Sequence, residues 1–286
     1  MSSISFDLSG KIDQQTVAAL SAVKRSADSL EIPFFVVGAT ARDFLLRHCY
    51  GIEHPRITRD IDLGVEVASW EQFGKLAEAL TASGEFAPDR REQQRFHHDY
   101  VLIDIVPFGP ITDETRRISW PPEHEIFMNM MGFREAYQYS VMVRISAEPA
   151  MDIKLPTLPG LALMKLISWD EKYPERKKDA EDLLLIMQKY EEAGNFERLY
   201  SSAQELLQEE NFDARLAGIR LLGHDMARIA DPETLSAVRK IIDLETGKQA
   251  HHRLVIHMIG GSARIGNRFD EVLIYLEKLK KGLDEN

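Results

Sequence analysis

A strand, a glycine and a helix in direct succession, followed by an acidic strand, constrain the fold of this chain more than any other feature. The apolar run FFVV at residues 34–37 stops at Gly38, and residues 39–52 then repeat their apolar side chains at helical spacing. Residues 59–67 and 100–109 carry two further strand patterns. This order predicts an α/β (α+β) domain built around a mixed sheet.

The pattern changes near Pro159, after which almost every segment has the periodicity of a helix. Pro174 is expected at the first position of one such helix, which runs to Lys189. The predicted division is therefore a sheet domain over residues 1–158 and a helical domain over residues 159–286.

Residues 191–286 form a helical extension with a paired pattern. Residues 212–245 contain two helical segments divided at Asp231-Pro232, and residues 251–279 contain a further pair. Such pairs are typical of HEAT-like helical hairpins, which normally stack in at least three copies. A plain helical cap on the sheet domain explains the pattern equally well.

Charge and cysteine content exclude several classes of protein. The 46 acidic and 35 basic side chains give a net charge of -11, so attraction to nucleic acid requires a local basic patch. Cys49 is the single cysteine, which excludes an intramolecular disulfide and a cysteine-based zinc site. Neither a secretion signal nor a run of about 18 apolar residues occurs in the chain. We therefore expect a cytoplasmic protein without a membrane partner.

Three aspartates in the strand patterns point to a cation site. Asp60 and Asp62 are two residues apart, so both carboxylates project from one face of a strand while Ile61 faces the core. At about 4 Å and an effective dielectric near 20, two carboxylates repel by roughly 4 kcal/mol, which proton uptake or a divalent metal relieves. Asp104 adds a third carboxylate from the next strand. Oxygen ligands favour Mg²⁺ or Mn²⁺. The alternative is that Asp104 lies on a solvated face of the sheet and binds no metal.

Gly38 ends a strand and opens a helix. The backbone N–H groups of Ala39, Thr40 and Ala41 are therefore expected to face an anion, assisted by the helix dipole, and Thr40 adds a hydroxyl. A phosphate site beside a metal site predicts a nucleoside triphosphate as ligand. An ordinary turn between strand and helix is the structural alternative.

Other motifs point away from chemistry. His97-His98 lie next to each other on a predicted strand, so their side chains point apart and we expect one to be exposed. The sequence contains no GxxxxGK[ST], GxSxG or HExxH pattern. P-loop kinases, serine hydrolases and zincins are therefore excluded.

The segments GATARD, RITRDIDLGV and IDIVPFG, in this order, resemble the DNA polymerase β-like nucleotidyltransferase superfamily. The resemblance is to its AbiEii/AbiGii toxin-type branch, which adds a helical motif, K-L-x-x-W-x-x-R-x-x-[RK]-D-x-x-D-L. That motif appears here as Lys165-Leu166, Trp169-Asp170, Arg176, Lys178-Asp179 and Asp182-Leu183. The resemblance covers about residues 34–190, with family-like helices over 159–190.

The resemblance implies a nucleotidyltransferase that depends on Mg²⁺ or Mn²⁺. Such an enzyme moves a nucleoside monophosphate from a triphosphate (NTP) to a hydroxyl of RNA, protein or a small molecule, and a toxin of this kind implies an antitoxin partner. By position, Asp60, Asp62 and Asp104 match the catalytic metal ligands. The positions that match nucleotide-binding residues are Gly38, Ala39, Thr40, Arg42, Lys165, Asp170 and Lys178.

The chain departs from the family pattern in three respects. Ala39 stands where glycine or serine is usual, residues 51–58 form an added loop, and the segment after residue 190 has no counterpart. The alternative function is therefore a non-catalytic protein that keeps the nucleotidyltransferase fold and uses its helical region for interaction.

Several candidate residues also have purely structural explanations. Lys165 fits a lysine that extends from an amphipathic helix toward solvent. Lys178 and Asp182 are spaced for an ion pair on a helix surface. Arg56 and Arg59 flank the acidic strand, where they are expected either to meet phosphate or to offset the aspartates.

Overall fold

The computed structural model describes residues 4–54, 58, 60–247, 249–260 and 265–285, with the backbone alone for residues 265–267. The chain divides into two compact units, Met1–Thr157 and Leu158–Asn286. Among the described residues, no helix has both the length and the apolar run that crossing a bilayer requires.

The first unit contains the strands and four of the helices. The strands are β1 (Ile4–Asp7), β2 (Phe34–Val37), β3 (Ile61–Glu66), β4 (Ala87–Pro88), β5 (Arg95–His98), β6 (Val101–Phe108), β7 (Arg117–Ser119), β8 (Phe127–Asn129), β9 (Val141–Ala147) and β10 (Ala150–Leu155). The helices are α1 (Gln14–Ser29), α2 (Gly38–Asp43), α3 (Trp70–Ala82) and α4 (Phe133–Gln138). A π-helical segment, Phe44–Cys49, continues α2 without a break.

The central sheet has the strand order β2-β3-β6-β5-β4. β3 and β6 run parallel, and every other neighbouring pair in this sheet is antiparallel. The sheet is therefore mixed, as predicted. β1, β9 and β10 form a second sheet. β10 of this second sheet contacts β2 of the central sheet. β7 and β8 form a separate two-stranded sheet.

Side-chain alternation explains why β3 and β6 form the centre of this sheet. Ile61 and Leu63 on β3, and Ile103 and Ile105 on β6, are buried on one face. On the opposite face, an aromatic cluster closes one end of the sheet. Its members are Phe35, Phe108, Phe133 and Tyr137, whose ring centroids lie 5.4–6.3 Å apart. Because residues two apart on a strand share a face, the aspartates of β3 and β6 lie on this same face, at the end where β3 begins.

The second unit is helical. Its helices are α5 (Leu158–Glu171), α6 (Lys177–Lys189), α7 (Phe196–Leu199), α8 (Gln204–Glu209), α9 (Ala214–Ile229), α10 (Pro232–Thr246), α11 (Arg253–Ile259) and α12 (Ile265–Asp284). The predicted break between α9 and α10 is confirmed, because the Asp231 carboxylate accepts hydrogen bonds from Glu233 N and Thr234 N with Pro232 at the first helical position.

The predicted start of α6 at Pro174 is wrong. The helix begins at Lys177, with Arg176 as its N-terminal cap. Glu175 N and Arg176 N both donate to Lys172 O, so residues 172–176 form a turn that ends α5 before α6 begins. A proline is compatible with this turn as well as with a helical first position, which is why the sequence pattern did not separate the two.

Candidate active site

Asp62 and Asp104 form the centre of the candidate site. They are register partners on the parallel strands β3 and β6, so their side chains project side by side from one face of the sheet. Neighbouring strands lie about 4.8 Å apart. The isoleucines and leucine that flank the two aspartates are buried on the other face, which confirms the predicted alternation.

Asp60 lies just outside the strand that was predicted to contain it. β3 begins at Ile61, and the Asp60 side chain is exposed. The backbone of Asp60 is nevertheless fixed, because the Thr40 hydroxyl donates a hydrogen bond of 2.6 Å to the Asp60 carbonyl. Thr40 is itself buried, so its hydroxyl supports the entry to β3 from the neighbouring turn.

Gly38 makes the turn from β2 into α2 with a φ of 66°, a left-handed conformation. A side-chain Cβ at this position would lie 2.0 Å from Asp62 Oδ2 and 2.7 Å from Asp62 Cγ. Glycine is therefore required here for two reasons, the backbone conformation and the close approach of the Asp62 carboxylate. The first residues of the predicted phosphate turn, Gly38 and Ala39, are only half-buried.

Arg95 on β5 binds the Asp104 carboxylate with both arms of its guanidinium. Nε donates to Oδ1 at 2.8 Å and Nη2 donates to Oδ2 at 2.7 Å. The two residues are register partners on antiparallel strands. Sequence reasoning missed Arg95. The alternation in RFHH, with buried Phe96 and His98, predicts a strand with Arg95 on its other face, but it does not identify the partner of Arg95.

These carboxylates are the candidate ligands of a divalent metal. Their donor atoms are all oxygens, and two of them lie on in-register positions, which fits a hard cation such as Mg²⁺. In the part of the chain that the structure describes, however, no three His, Cys, Asp or Glu side chains are drawn together as a metal requires. The pairing of Asp104 with Arg95 is one physical reason, because it engages both oxygens of this carboxylate.

Arg42 lies in the interior of the first unit rather than at its surface. Its side chain is fully buried and its guanidinium pairs with Asp43. The Asp43 carboxylate also accepts a hydrogen bond from Thr58 N at 3.2 Å and lies 3.2 Å from His54 Nε2. Arg42 therefore stabilises the loop that leads to β3, and its predicted contact with nucleotide has no exposed side-chain atom to support it.

The other predicted basic residues of this loop, Arg56 and Arg59, lie outside the described residues. The histidines of β5 behave as predicted. His97 Nε2 lies 2.9 Å from Asp89 Oδ2 in a partly exposed pair, whereas the ring of His98 is buried and packs on Phe86.

Lys165 is a buried cation in the second unit. Its Nζ lies 2.6 Å from Asp179 Oδ1 and 2.8 Å from Asp182 Oδ2, and the Ser168 hydroxyl donates to Asp179 Oδ2 at 2.9 Å. Burial lowers the pKa of the lysine, but the two carboxylates outweigh it and hold the pKa above its ordinary value. Lys165 therefore stays charged at neutral pH. Its side chain is buried, so the expectation that it extends from the helix toward solvent is wrong.

The predicted surface pair of Lys178 and Asp182 is wrong. Asp182 is buried against Lys165, and Lys178 is exposed. Asp170 is half-buried, with Arg253 Nη2 3.9 Å from its carboxylate, and burial raises the pKa of Asp170. Of the three helical residues predicted to bind nucleotide, Lys178 is exposed, Asp170 is half-buried and Lys165 is buried. Arg176, in the same motif, is also exposed.

The first unit has a mixed sheet that carries paired carboxylates beside a glycine turn, and the chain continues into a helical region. This combination defines a nucleotidyltransferase-type fold. The chain belongs to the family described as "Nucleotidyl transferase AbiEii toxin, Type IV TA system", which matches residues 19–273. This match confirms the resemblance drawn from the motifs, and the class of activity it supports is nucleotidyl transfer. Among curated proteins, none matches the chain closely enough to count as a relative.

Solved structures of an antibiotic-resistance factor and of CCA-adding enzymes share similarity with this chain. A solution structure of the antibiotic-resistance factor ANT(2'')-Ia is 14% identical, with 70% of this chain and 98% of that chain covered and a TM-score of 0.36. A CCA-adding enzyme in complex with ATP is 15% identical, with 92% and 66% covered and a TM-score of 0.34. The Thermotoga maritima CCA-adding enzyme complexed with tRNA is 14% identical, with 96% and 82% covered and a TM-score of 0.31.

Proposed function

We propose that this protein is a metal-dependent nucleotidyltransferase that moves a nucleoside monophosphate from an NTP to an acceptor hydroxyl. The observation that carries the proposal is the in-register pair Asp62 and Asp104, which projects from adjacent parallel strands beside the Gly38 turn. Membership of a nucleotidyltransferase toxin family supports the same reaction class.

Asp60, Asp62 and Asp104 are the residues that would hold Mg²⁺ or Mn²⁺. When bound, such a cation lowers the pKa of an acceptor hydroxyl and neutralises charge on the leaving pyrophosphate. The chain positions its three carboxylates through the parallel pairing of β3 with β6 and through the hydrogen bond from Thr40 to the Asp60 backbone.

The half-buried surface at Gly38 and Ala39 is the proposed triphosphate site of the first unit. Backbone N–H groups at the start of α2 favour an anion. Thr40 acts by holding Asp60, since its hydroxyl already donates to that backbone. Within the second unit, Lys178 is exposed among the residues that the family resemblance matches to nucleotide binding, whereas Lys165 supports the helices through its ion pairs with two buried carboxylates.

The proposal extends to a toxin that an antitoxin partner counteracts, which the family description as a Type IV toxin–antitoxin system supports. RNA, protein and small hydroxylated molecules are the acceptor classes to be tested. The net charge of -11 disfavours RNA capture by the field of the whole molecule, so an RNA acceptor would need a local contact.

The test is transfer of label from each of the four α-labelled NTPs into total RNA and protein, with Mg²⁺ or Mn²⁺. We compare wild type with the Asp60→Ala/Asp62→Ala double variant and with Glu78→Gln, which removes an exposed carboxylate of α3 in the same unit. Labelling in wild type and Glu78→Gln that disappears in the double variant is the expected result.

Equal labelling in all three proteins would contradict the proposed catalytic role of the aspartates. Absence of labelling with every nucleotide would favour the alternative function of a non-catalytic binding protein, or a small-molecule acceptor that the assay does not contain.

A further inference from the structure

Arg95 places a positive charge among the carboxylates of the candidate site. It is bound to both oxygens of Asp104, and about a third of its side chain is exposed (32%), against 18% for Asp104. The bond to Asp104 raises the pKa of Arg95 above its ordinary value, and the charges of Glu92 and Asp60 add to the rise. Arg95 is therefore bound directly to one of the three proposed metal ligands, Asp104.

The geometry of this pair conflicts with simultaneous metal binding. A bidentate guanidinium uses one lone pair on each carboxylate oxygen and fixes the plane of the carboxylate. A divalent cation coordinated by the same carboxylate would stand a few ångströms from a fixed unit positive charge, in a partly buried setting where screening is weak.

We propose that Arg95 competes with the divalent cation for Asp104, so that the cation binds only when Arg95 releases at least one carboxylate oxygen. This inference rests on the proposed function, because it concerns the metal ligands of that site. Arg95 is a positioning residue in this account, acting through Asp104.

The competition makes metal binding depend on nucleotide. In the absence of NTP, the cation must displace Arg95 without compensation. An NTP supplies phosphate oxygens that bind both the cation and a guanidinium. We therefore expect wild-type protein to bind Mn²⁺ weakly alone and more tightly with a non-hydrolysable NTP.

The experiment measures Mn²⁺ dissociation constants of the full chain by the electron paramagnetic resonance signal of free Mn²⁺, without nucleotide, at pH 8. The variants are Arg95→Gln, Arg95→Lys and the control Arg91→Gln, which removes the same charge from an exposed position before β5. Unchanged far-UV circular dichroism checks that each variant is folded.

Arg95→Gln is expected to bind Mn²⁺ about tenfold to a hundredfold more tightly than wild type, since a charged hydrogen-bonded pair no longer has to be broken. Arg95→Lys, which keeps the charge without the bidentate fork, should give a smaller gain. Arg91→Gln should bind as wild type does. With the non-hydrolysable NTP added, the advantage of Arg95→Gln should shrink.

Two results would overturn the inference. Weaker Mn²⁺ binding in Arg95→Gln would mean that Arg95 orients Asp104 for the metal, and equal gains in Arg95→Gln and Arg91→Gln would mean a general effect of charge. Asp62→Asn separates this failure from failure of the proposed function. If no protein shows Mn²⁺ binding that is lost in Asp62→Asn, with or without NTP, the metal site itself is refuted.

Discussion

Replacing Gly38 with alanine tests whether the Asp62 carboxylate must lie against the turn between β2 and α2. The new Cβ would lie 2.0 Å from Asp62 Oδ2 and 2.9 Å from Asp62 Cβ, so the aspartate has to move by more than an ångström. The left-handed backbone adds a cost of about 1–2 kcal/mol for any residue with a Cβ, and relieving the clash adds about 1–3 kcal/mol.

Gly51→Ala is the matched control. Gly51 has nearly the same φ, 69° against 66°, but no atom lies within 4 Å of its built Cβ. It therefore carries the backbone cost alone, about 1–2 kcal/mol. The difference between the two variants isolates the contact with Asp62.

The assays are urea unfolding and Mg²⁺-dependent label transfer. We expect Gly38→Ala to lose about 2–5 kcal/mol of unfolding free energy and about a hundredfold in transfer rate, because a misplacement of about 1 Å has effects of that size. Gly51→Ala should keep most of its transfer activity. Equal losses of stability and activity in the two variants would refute the contact as the reason for glycine.

Three further predictions concern packing and reactivity. Lys165→Met should destabilise the protein by about 3–5 kcal/mol in urea unfolding, since it strands two buried carboxylates, whereas the exposed Lys178→Met should change stability by less than about 0.5 kcal/mol. Gly282→Ala should destabilise because its Cβ would lie 2.0 Å from a backbone carbonyl of α9, while Gly74→Ala, with open space in α3, should stabilise by roughly 0.5–1 kcal/mol. Burial raises the pKa of the Cys49 thiol to about 12, so its thiolate fraction at pH 8 is roughly a thousandfold lower than in the unfolded chain. Iodoacetamide labelling at pH 8, followed by mass spectrometry, should be slower in the folded protein and should accelerate as the pH rises. Fast labelling of Cys49 in the folded protein would contradict the third prediction. Equal changes in unfolding free energy for Lys165→Met and Lys178→Met, or for Gly282→Ala and Gly74→Ala, would contradict the first two.

Loss of transfer in a Lys165 variant has a structural explanation in the stranded Asp179 and Asp182. Lys178 variants lack this complication because the side chain is exposed. A KM effect in Lys178→Met with unchanged unfolding free energy would therefore support a nucleotide contact more directly.

Side-chain alternation made the core of the sheet predictable. In IDL and IDI, each aspartate lies between apolar residues, and the structure buries those residues while the aspartates lie on the other face. The helix α3 lies between β3 and β6 in the chain, and this order allows the two strands to pair in parallel. The register of Asp62 against Asp104 did not follow from the sequence, because a shift by two residues leaves the same alternation.

Long-range ion pairs were not predictable in the same way. Arg95 reaches Asp104 only because β5 pairs antiparallel with β6, and Lys165 reaches Asp179 and Asp182 only because α5 packs on α6. Local spacing instead favoured the pair of Lys178 with Asp182, which the structure does not form. Sequence spacing reports neighbours on one element, whereas Arg95 and Lys165 take their partners from another element.

The most direct test of the central claim compares wild type, Asp62→Asn and Asp104→Asn in Mg²⁺-dependent transfer from an α-labelled NTP. Each substitution keeps the shape of the side chain and removes one charge from the in-register pair. We expect both variants to lose at least about a hundredfold in transfer rate while they keep their folded circular dichroism spectra. Transfer at the wild-type rate in either variant would contradict the claim that Asp62 and Asp104 form the active site.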